Sequence, residues 1–458
     1  LALKGGLVGL HRLGEGRNLL DFSAFLRYNG MRTYVRILGK PSSREACSME
    51  RVIYHIDCNA FYASVECLDR PELHRVPLAV AGDPKERSGI ILAKNEIAKR
   101  YGVKTAETIW QAKRKCPGLV LVPPRHERYQ EVSRSVKALF GQYTDQVESF
   151  GQDEAWLDVT GSLRYFRAGP LELANSIRER VRREIGITVS VGVSFNKVFA
   201  KLGSDFKKPD ATTVISRENY QRLVWPLPAQ ELLFVGRAAA AELTKRYLYT
   251  IGDIARFHRE ELARMLGKGG DTLWLYANGL DCAPVRCPEE LEPVKSIGNG
   301  MTFRRDLVGE VELKAGILAL ADEVAARLRA EGVQCRTLQV MIKNTQLRCI
   351  SRQTALANPT HLQRELVEAA MALLRANWSM TVPVRALTVT AMNLVRDGEA
   401  CEQLSLMELL SPADIGRRER QERMEAAVCG IRARYGVSSI AMGYAKNEEL
   451  GIRADWKA

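Results

Sequence analysis

The sequence predicts an α+β protein built from several domains, and three observations lead to this prediction. The chain has 458 residues, 46% of them hydrophobic, which is enough for about two to four domains with sizeable cores. Strand-like and helical patterns alternate over residues 49–215 and again over 296–395. Between these two regions, residues 216–285 carry helical patterns.

In the first region, the spacing of apolar residues predicts one sheet backed by helices. Strands are expected at residues 52–56, 78–81, 147–150, 155–159, 188–193 and 213–215. Helices are expected at 129–140, 171–185 and 196–206. Residues 62–125 are richer in Lys and Arg, and we expect them to form a separate lobe inserted into that sheet.

The middle of the chain contains a glycine turn between two predicted helices, in the stretch LLFVGRAAAAELTKRYLYTIGDIARF. This pattern resembles a helix-hairpin-helix, whose backbone N–H groups and helix N-termini suit a DNA phosphate. An ordinary helix turn closed by glycine gives the same pattern. A proline-rich linker follows, and then strands at TLQVMIKN, QLRCISRQTAL and RALTVTAMNLV with helices near 312–331 and 360–377.

The net charge of +13 and a pI near 9.3 favour a polyanionic partner, although solubility alone would also explain them.

None of the ten cysteines forms a C-x-x-C pair, which argues against a zinc knuckle or a disulfide scaffold and favours free thiols in the cytoplasm. The apolar runs are too short to span a bilayer, so no membrane association is expected. We expect residues 1–48 to be an upstream extension or a disordered leader.

Three acidic residues lie where a strand is expected to stay apolar. Asp57 ends the first strand, and Asp153 and Glu154 lie at the tip of the strand–turn–strand unit VESFGQDEAWLDV. If these strands are neighbours, the three carboxylates converge and raise one another's pKa unless cations neutralise them. Mg²⁺ suits such an oxygen-rich site, and two ions about 4 Å apart can serve phosphoryl transfer. A polar hairpin turn is the alternative explanation of Asp153 and Glu154.

Several lysines crowd a predicted helix and its exit in the stretch SFNKVFAKLGSDFKKPD. A solvated basic face is one interpretation. Beside a carboxylate–metal site, the same lysines could bind a triphosphate and assist the departure of pyrophosphate. The chain has no G-x-x-x-x-G-K-[ST] motif, which argues against a Walker-type ATPase.

Taken in order, six stretches of this sequence resemble the Y-family, or translesion, DNA polymerases, and most closely their bacterial DNA polymerase IV-like branch. The resemblance covers about residues 49–395 and extends to 403–407. The stretches are HIDCNAFYASVE, LAKNEIAKRYGVKT, QDEAWLDVTGS, VSVGVSFNKVFAKLGSDFKKPD, KSIGNGMTF and CRTLQVMIKN.

The resemblance implies a multidomain right-hand polymerase with a ferredoxin-like palm, small fingers, a helical thumb and a C-terminal little-finger domain. The implied boundaries are 49–61 and 126–215 for the palm, 62–125 for the fingers, 216–285 for the thumb with its helix-hairpin-helix, 286–296 for a linker, 297–396 for the little finger and 397–458 for a C-terminal tail.

The resemblance also assigns roles to the acidic residues and the aromatic pair. Asp57, Asp153 and Glu154 match the family's catalytic carboxylates, which hold two Mg²⁺ ions, and the carbonyl oxygen of either Ile56 or Cys58 is implied as a further metal ligand. Tyr62 matches the steric gate, whose ring lies under the sugar and excludes a 2′-hydroxyl. Its neighbour in the aromatic pair is Phe61, which we expect to pack in the core beside the nucleotide-binding site.

Two lysines match positions that contact the triphosphate, Lys99 and Lys208. Many relatives carry a tyrosine and an arginine where this chain has Glu96 and Lys99. Lys99 keeps the positive charge of the arginine but not its bidentate fork. The two acids of the family's S-I-D-E turn are retained after Gly151 and Gln152.

Near the C-terminus, the stretch QLSLM resembles the bacterial peptide that binds the sliding clamp. Its expected clamp-binding residues are Gln403, Leu404, Leu406 and Met407, and the last replaces an aromatic residue. Apolar anchors in a polar segment can enter a groove on a partner protein. The start of a helix gives the same pattern.

The resemblance therefore implies a DNA-directed DNA polymerase that extends a primer with deoxynucleoside triphosphates and copies damaged templates at low fidelity. Its expected partners are primer-template DNA, deoxynucleoside triphosphates and a sliding clamp, and it is expected to be a monomer. Two other functions stay open at this point. A nucleotidyl cyclase could share the sheet and the two-metal chemistry, and a catalytically inactive DNA-binding scaffold could share the basic charge.

Overall fold

The structure is a computed structural model and describes residues 50–83, 89–287, 290, 293–400, 412–440 and 449–452. In this part of the chain, strands and helices are mixed, as the α+β prediction requires. The strands, numbered along the chain, are β1 Ile53–Cys58, β2 Leu78–Ala81, β3 Ile91–Lys94, β4 Val120–Val122, β5 Val147–Ser149, β6 Glu154–Asp158, β7 Val189–Ser194, β8 Thr212–Ile215, β9 Ser296–Leu307, β10 Val333–Asn344, β11 Cys349–Thr360 and β12 Val384–Arg396.

Helices connect and cover these strands. They are α1 Phe61–Asp69, α2 Glu96–Arg100, α3 Ile109–Lys115, α4 His126–Phe140, α5 Ser162–Phe166, α6 Pro170–Glu184, α7 Lys197–Phe206, α8 Tyr220–Val224, α9 Arg237–Thr244, α10 Ile251–Arg256, α11 Arg259–Leu266, α12 Lys268–Ala277, α13 Glu310–Ala330, α14 Gln363–Asn377 and α15 Pro412–Tyr435.

A five-stranded sheet carries the candidate site, and its strand order is β5-β6-β1-β7-β8. The central strand β1 is antiparallel to both β6 and β7, and all six of its residues are buried. Because side chains alternate between the faces of a sheet, Tyr54 and Ile56 pack in a core with α4 and α6, whereas Ile53 and His55 lie on the face that α7 covers. Asp57 shares that second face.

Helix α7 lies unusually close to the sheet because two glycines meet where they pack. The Cα of Gly192 on β7 lies 3.0 Å from the point where a Cβ on Gly203 of α7 would stand. A Cβ on Gly192 would itself stand 1.8 Å from the carbonyl oxygen of Ala200. Close packing of the backbone therefore requires glycine here, and it brings the lysines of α7 toward the end of β1.

The inserted lobe has a small sheet of its own, with strand order β3-β2-β4. Strand β2 pairs antiparallel with β3 and parallel with β4. The sequence predicted β2 but not β3 or β4, which have only four and three residues and therefore show almost no periodicity. The strand at 78–81 thus belongs to this separate sheet and not to the five-stranded one.

Helices α8–α12 follow the first sheet and pack around their own apolar cluster. Beyond them, a four-stranded antiparallel sheet with the order β11-β10-β12-β9 packs against α13 and α14. Helix α15 is joined to this unit by an ion pair of 2.6 Å between Arg329 and Glu425. Near the C-terminus, Leu450 and Ile452 are buried in the same core.

Strand β9 was missed by sequence analysis because glycines interrupt its apolar alternation. Gly298 and Gly300 lie directly opposite Thr390 and Thr388 on β12. A Cβ at either glycine would stand within 2.7 Å of the hydroxyl of the threonine opposite. Glycine has low strand propensity, but here it makes room for the facing threonine side chains.

Candidate active site

Asp57 and Glu154 are paired across two neighbouring strands of the five-stranded sheet. Their Cα atoms are register partners between β1 and β6. Asp57 is the next-to-last residue of β1, and Glu154 is the first residue of β6. The two strands that carry these residues are therefore neighbours, and their pairing places two carboxylates on the face that α7 covers.

A lysine meets each of these carboxylates. Lys208 Nζ lies 2.7 Å from Asp57 Oδ2 and 2.6 Å from Asp205 Oδ1. Lys201 Nζ, on α7, forms an ion pair with Glu154 Oε2. The close approach of α7 to the sheet thus supplies positive charge to two acidic groups that would otherwise be costly to bury.

The two carboxyl groups respond to burial differently. Burial raises the pKa of Asp57 to about 7, and the charge of Lys208 offsets this only in part. Burial also opposes the charge of Glu154, but hydrogen bonds with His55 and Lys201 outweigh it and lower its pKa to about 2. Glu154 is thus stabilised as a carboxylate by its neighbours. For Asp57, the charge of Lys208 is not enough to offset the cost of burying the carboxylate.

Asp153 lies in the turn just before β6, and its main chain is fixed to the end of β1. The Cys58 N–H donates to the Asp153 carbonyl oxygen at 3.0 Å. Burial raises the pKa of Asp153, and the adjacent charge of Glu154 adds to this effect. Cys58 itself is buried at the end of β1. The three acidic residues and Cys58 therefore meet at one end of two neighbouring strands.

Asn59 ties the segment after α7 to the same place, which sequence analysis did not anticipate. Its side-chain amide donates to Ser190 Oγ at 2.9 Å, and its Oδ1 accepts from the Asp210 N–H at 2.7 Å. Asn59 is 6% exposed. These bonds hold the chain immediately after Lys208 against β7, which fixes the approach of that lysine to Asp57.

The donor set at this end of the sheet fits a divalent cation. Three carboxylates and a main-chain oxygen are hard oxygen ligands of the kind such ions prefer. Burial raises the pKa values of Asp57 and Asp153, and the charge of a bound cation would favour their ionised forms. In the described ranges, no three His, Cys, Asp or Glu side chains already stand in a metal-holding arrangement. Asp57 and Glu154 would have to turn from their lysines toward the ion.

The aromatic pair Phe61-Tyr62 opens α1, one turn of chain beyond Asp57. Phe61 is buried in the core, as expected of a packing residue. Tyr62 is partly exposed, and its ring stacks on that of Tyr129 with centroids 4.2 Å apart. The Tyr62 hydroxyl donates to Gln152 Oε1 at 2.9 Å, beside the acidic turn. The position of Tyr62 is thus coupled to the turn that carries Asp153.

Lys99 lies on α2 of the small lobe, and its Nζ is 3.4 Å from Glu96 Oε1 one turn earlier. Both side chains are about half exposed, so this ion pair contributes little to stability. Glu96 also lines a cavity of about 320 Å³ together with Asn59, Ala60 and Asp210. Glu96 is therefore close to the end of β1 and is paired with Lys99.

The segment of the expected clamp-binding residues, 403–407, lies outside the described residues, as do residues 1–48. None of the described helices is long and apolar enough to span a membrane.

His55 is a second residue that sequence analysis missed. It is fully buried on β1, with Nε2 3.1 Å from Glu154 Oε2 and Nδ1 2.7 Å from Ser204 Oγ on α7. Burial lowers its pKa. The available signal was its position two residues before Asp57, since residues two apart on a strand share a face.

Comparison with known proteins places this arrangement in a family. Residues 56–205 match the model of the impB/mucB/samB family, and residues 294–406 match the model of the C-terminal domain of that family. The first match contains all three acidic residues.

Full-length relatives agree with these matches. The chain is 46% identical to DNA polymerase IV of Acetivibrio thermocellus over 395 residues, which cover 86% of this chain and 97% of the relative. It is 36% identical to DNA polymerase IV 1 of Bacillus subtilis, with coverage of 87% and 94%.

Among solved structures, a Y-family DNA polymerase chimera superposes with a TM-score of 0.68 over 75% of this chain and 99% of the chimera. At 24% sequence identity, this likeness shows that the fold is shared. Together with the two family matches and the curated relatives, it shows that the chain belongs to the impB/mucB/samB family and is a Y-family DNA polymerase of the DNA polymerase IV type.

Proposed function

We propose that this polymerase extends a DNA primer by attack of its 3′-hydroxyl on the α-phosphate of a deoxynucleoside triphosphate, with release of pyrophosphate, and that Asp57, Asp153 and Glu154 form its catalytic centre. The observation that carries this assignment is the register pairing of Asp57 with Glu154 at the end of two neighbouring strands. Low-fidelity synthesis on damaged templates is the role that suits a member of this family.

The family depends on a divalent metal ion, and we propose two Mg²⁺ ions held by the three carboxylates with a main-chain oxygen at Cys58. Such ions stabilise the charge on the attacking and leaving oxygens of a phosphoryl transfer. The lysines at the site keep Asp57 and Glu154 from repelling each other before metal arrives. With a metal ion bound at Asp57, Lys208 would be released from that carboxylate and could bind the triphosphate as a point charge.

Lys99 is proposed to bind the triphosphate from the small lobe, after release from Glu96. Its exposure and weak ion pair support this assignment, because little energy opposes its release. Tyr62 is proposed as the steric gate. Its position at the start of α1, with its hydroxyl bonded beside the acidic turn, suits a ring that lies under the sugar of the incoming nucleotide.

We further propose the domain assignments of a right-hand polymerase, with the five-stranded sheet as the palm, the small lobe as the fingers, α8–α12 as the thumb and the four-stranded sheet as the little finger. The net charge of +13 supports binding of primer-template DNA. Residues 403–407 are proposed to bind a sliding clamp, and the protein is proposed to act as a cytoplasmic monomer. Cysteines of the described ranges, among them Cys58, Cys67 and Cys335, are free thiols, which suits a reducing compartment.

Primer extension by the purified protein tests the catalytic assignment. Asp153→Ala should abolish nucleotide incorporation, whereas Asp145→Ala, an exposed acidic residue of the loop before β5, should retain it. Incorporation by the Asp153→Ala variant would overturn the mechanism. Release of a cyclic nucleotide without primer would favour a nucleotidyl cyclase, and DNA binding without incorporation by the wild-type protein would favour an inactive scaffold.

A further inference from the structure

One stripe of helix α4 contacts both Tyr62 and the turn that carries the catalytic acids. Tyr129, Ser133 and Lys137 are spaced by four residues and therefore share one face of the helix. Tyr129 stacks on the ring of Tyr62. Ser133 Oγ donates to the carbonyl oxygen of Gln152, and Lys137 Nζ donates to that of the preceding glycine at 2.6 Å. The stripe thus connects the start of α1 to the acidic turn.

Tyr62 is held at both ends of its side chain. Its ring lies nearly parallel to that of Tyr129, with an interplanar angle of 14° and a centroid distance of 4.2 Å. Its hydroxyl donates to Gln152 Oε1 at 2.9 Å. Stacking restricts the ring plane, and the hydrogen bond restricts rotation away from the acidic turn. A side chain that is only partly buried is therefore fixed in one orientation.

The support behind Tyr62 is itself rigid. Tyr129 is fully buried, and its hydroxyl donates to Glu66 Oε1 on α1 at 2.7 Å. Glu66 is also fully buried and accepts from Arg125 Nε at 2.9 Å and from Arg70. A fully partnered network of this kind holds its members in place before any ligand binds. Tyr129 is thus a fixed platform, not an adaptable neighbour.

We infer that Gln152 and Tyr129 are positioning residues that set the discrimination of this polymerase between deoxyribose and ribose by holding the ring of Tyr62. The inference rests on the proposed role of Tyr62 as the steric gate. Exclusion of a 2′-hydroxyl requires a ring that does not swing aside when the larger sugar enters. The stack and the hydrogen bond supply that resistance, and neither residue needs to touch the nucleotide.

The test measures kcat/KM for a deoxynucleotide and for the matching ribonucleotide in single-turnover primer extension. Its variants are Gln152→Leu, Tyr62→Phe, the double variant of these two, Tyr129→Phe, Tyr129→Leu and Tyr62→Ala. Gln152→Leu keeps the size of the side chain and removes the acceptor. Ser135→Ala, on the exposed face of α4, is the matched control. A thermal unfolding midpoint for each variant separates loss of fold from loss of selectivity.

The selectivity is the kcat/KM for the deoxynucleotide divided by that for the ribonucleotide. Gln152→Leu should lower this ratio about fivefold, the fold-change that follows from losing a typical hydrogen bond. In the Tyr62→Phe background the same substitution should have no further effect, because the hydroxyl that needs the acceptor is absent. Tyr129→Phe keeps the stacked ring but loses the hydroxyl that holds it to Glu66, so it should lower the selectivity less than Tyr129→Leu does. Tyr129→Leu should lose it by more than Gln152→Leu does.

An equal effect of Gln152→Leu in the wild-type and Tyr62→Phe backgrounds would overturn the inference, because a merely structural role acts regardless of the hydroxyl. Unchanged selectivity in Gln152→Leu would also overturn it, even if Tyr129→Leu failed to fold. Tyr62→Ala distinguishes the role of Tyr62 as the gate from the role of Gln152 in positioning its ring. If Tyr62→Ala admits ribonucleotides and Gln152→Leu does not, only the positioning role falls. If Tyr62→Ala leaves the ratio unchanged, the gate and the inference fall together.

Discussion

Asp57 and Glu154 face each other across two antiparallel strands, yet each carboxylate is paired with a different lysine of the segment around α7. Lys201 lies within the helix, and Lys208 lies just beyond its end. The charges of the two acidic groups are therefore balanced by cations from the helix that covers the sheet and from the residues just after it. In the proposed mechanism, a metal ion and the triphosphate both compete with these ion pairs, so the charges of these groups can be tested by titration and substitution.

The stability of the metal-free protein should depend on pH through Asp57. Between its ordinary pKa of 3.8 and the folded value of about 7, the folded chain keeps a proton at Asp57 that the unfolded chain has released. Raising the pH through this interval therefore lowers the free energy of unfolding. In Asp57→Asn, this loss should be smaller by roughly 2–4 kcal/mol over the whole interval.

The measurement is chemical denaturation in the presence of a chelator at several pH values between 4.5 and 8. Glu154 acts with the opposite sign, because its lowered pKa makes the free energy of unfolding fall as the pH drops from about 4.5 toward 2, so its effect is confined to the lower end of this range and is shared by both proteins. Equal pH slopes in the wild type and Asp57→Asn would contradict the prediction. An added divalent cation should flatten the wild-type slope.

His55 should orient Glu154 for metal binding. Its two ring nitrogens lie 3.1 Å from Glu154 Oε2 and 2.7 Å from Ser204 Oγ, so it links the carboxylate to α7. Loss of such an outer partner typically weakens metal affinity roughly tenfold to a hundredfold. We expect that loss in His55→Leu and a smaller one in Ser204→Ala, measured by Mn²⁺ titration of the metal-free proteins. Unaltered affinity in a folded His55→Leu protein would exclude this role.

Gly192→Ala should strongly destabilise the protein, because a Cβ there would stand 1.8 Å from the Ala200 carbonyl oxygen and 2.5 Å from the Ser204 nitrogen. Both are backbone atoms of α7, so relief requires the helix to move off the sheet. We expect a loss of about 3 kcal/mol or more in the free energy of unfolding. Gly118→Ala, where a Cβ meets nothing within 4 Å, is the control. Similar unfolding midpoints for both variants would refute the close packing of α7.

Deletion of residues 403–407 should remove stimulation by a sliding clamp. The apolar side chains of Leu404, Leu406 and Met407 would supply most of the contact with a groove on the clamp. The measurement is the ratio of processivity with and without purified bacterial clamp, which should fall to about one on loss of these anchors. Glu402→Ala serves as a control outside the motif. Full stimulation of the deletion variant by the clamp would show that residues 403–407 do not bind it.

Much of the local structure could be predicted because it depends on neighbouring residues. The alternation of apolar residues located β1, β6 and β7 to within two residues at either end, and the helical spacing located α4, α6 and α7 to within three. Strand β9 escaped because its glycines make sense only opposite Thr388 and Thr390. Strands β3 and β4 escaped because short strands show too little periodicity.

The sequence by itself determined which chemical groups this protein has and that acidic residues lie at the ends of two of its strands, since an acidic residue beside an apolar run is visible without any partner. Only the tertiary structure decided which groups meet. The register of β1 with β6, the approach of α7 and the contacts of Tyr62 with Gln152 and Tyr129 join residues distant along the chain. Such contacts depend on packing between elements, which no local pattern encodes.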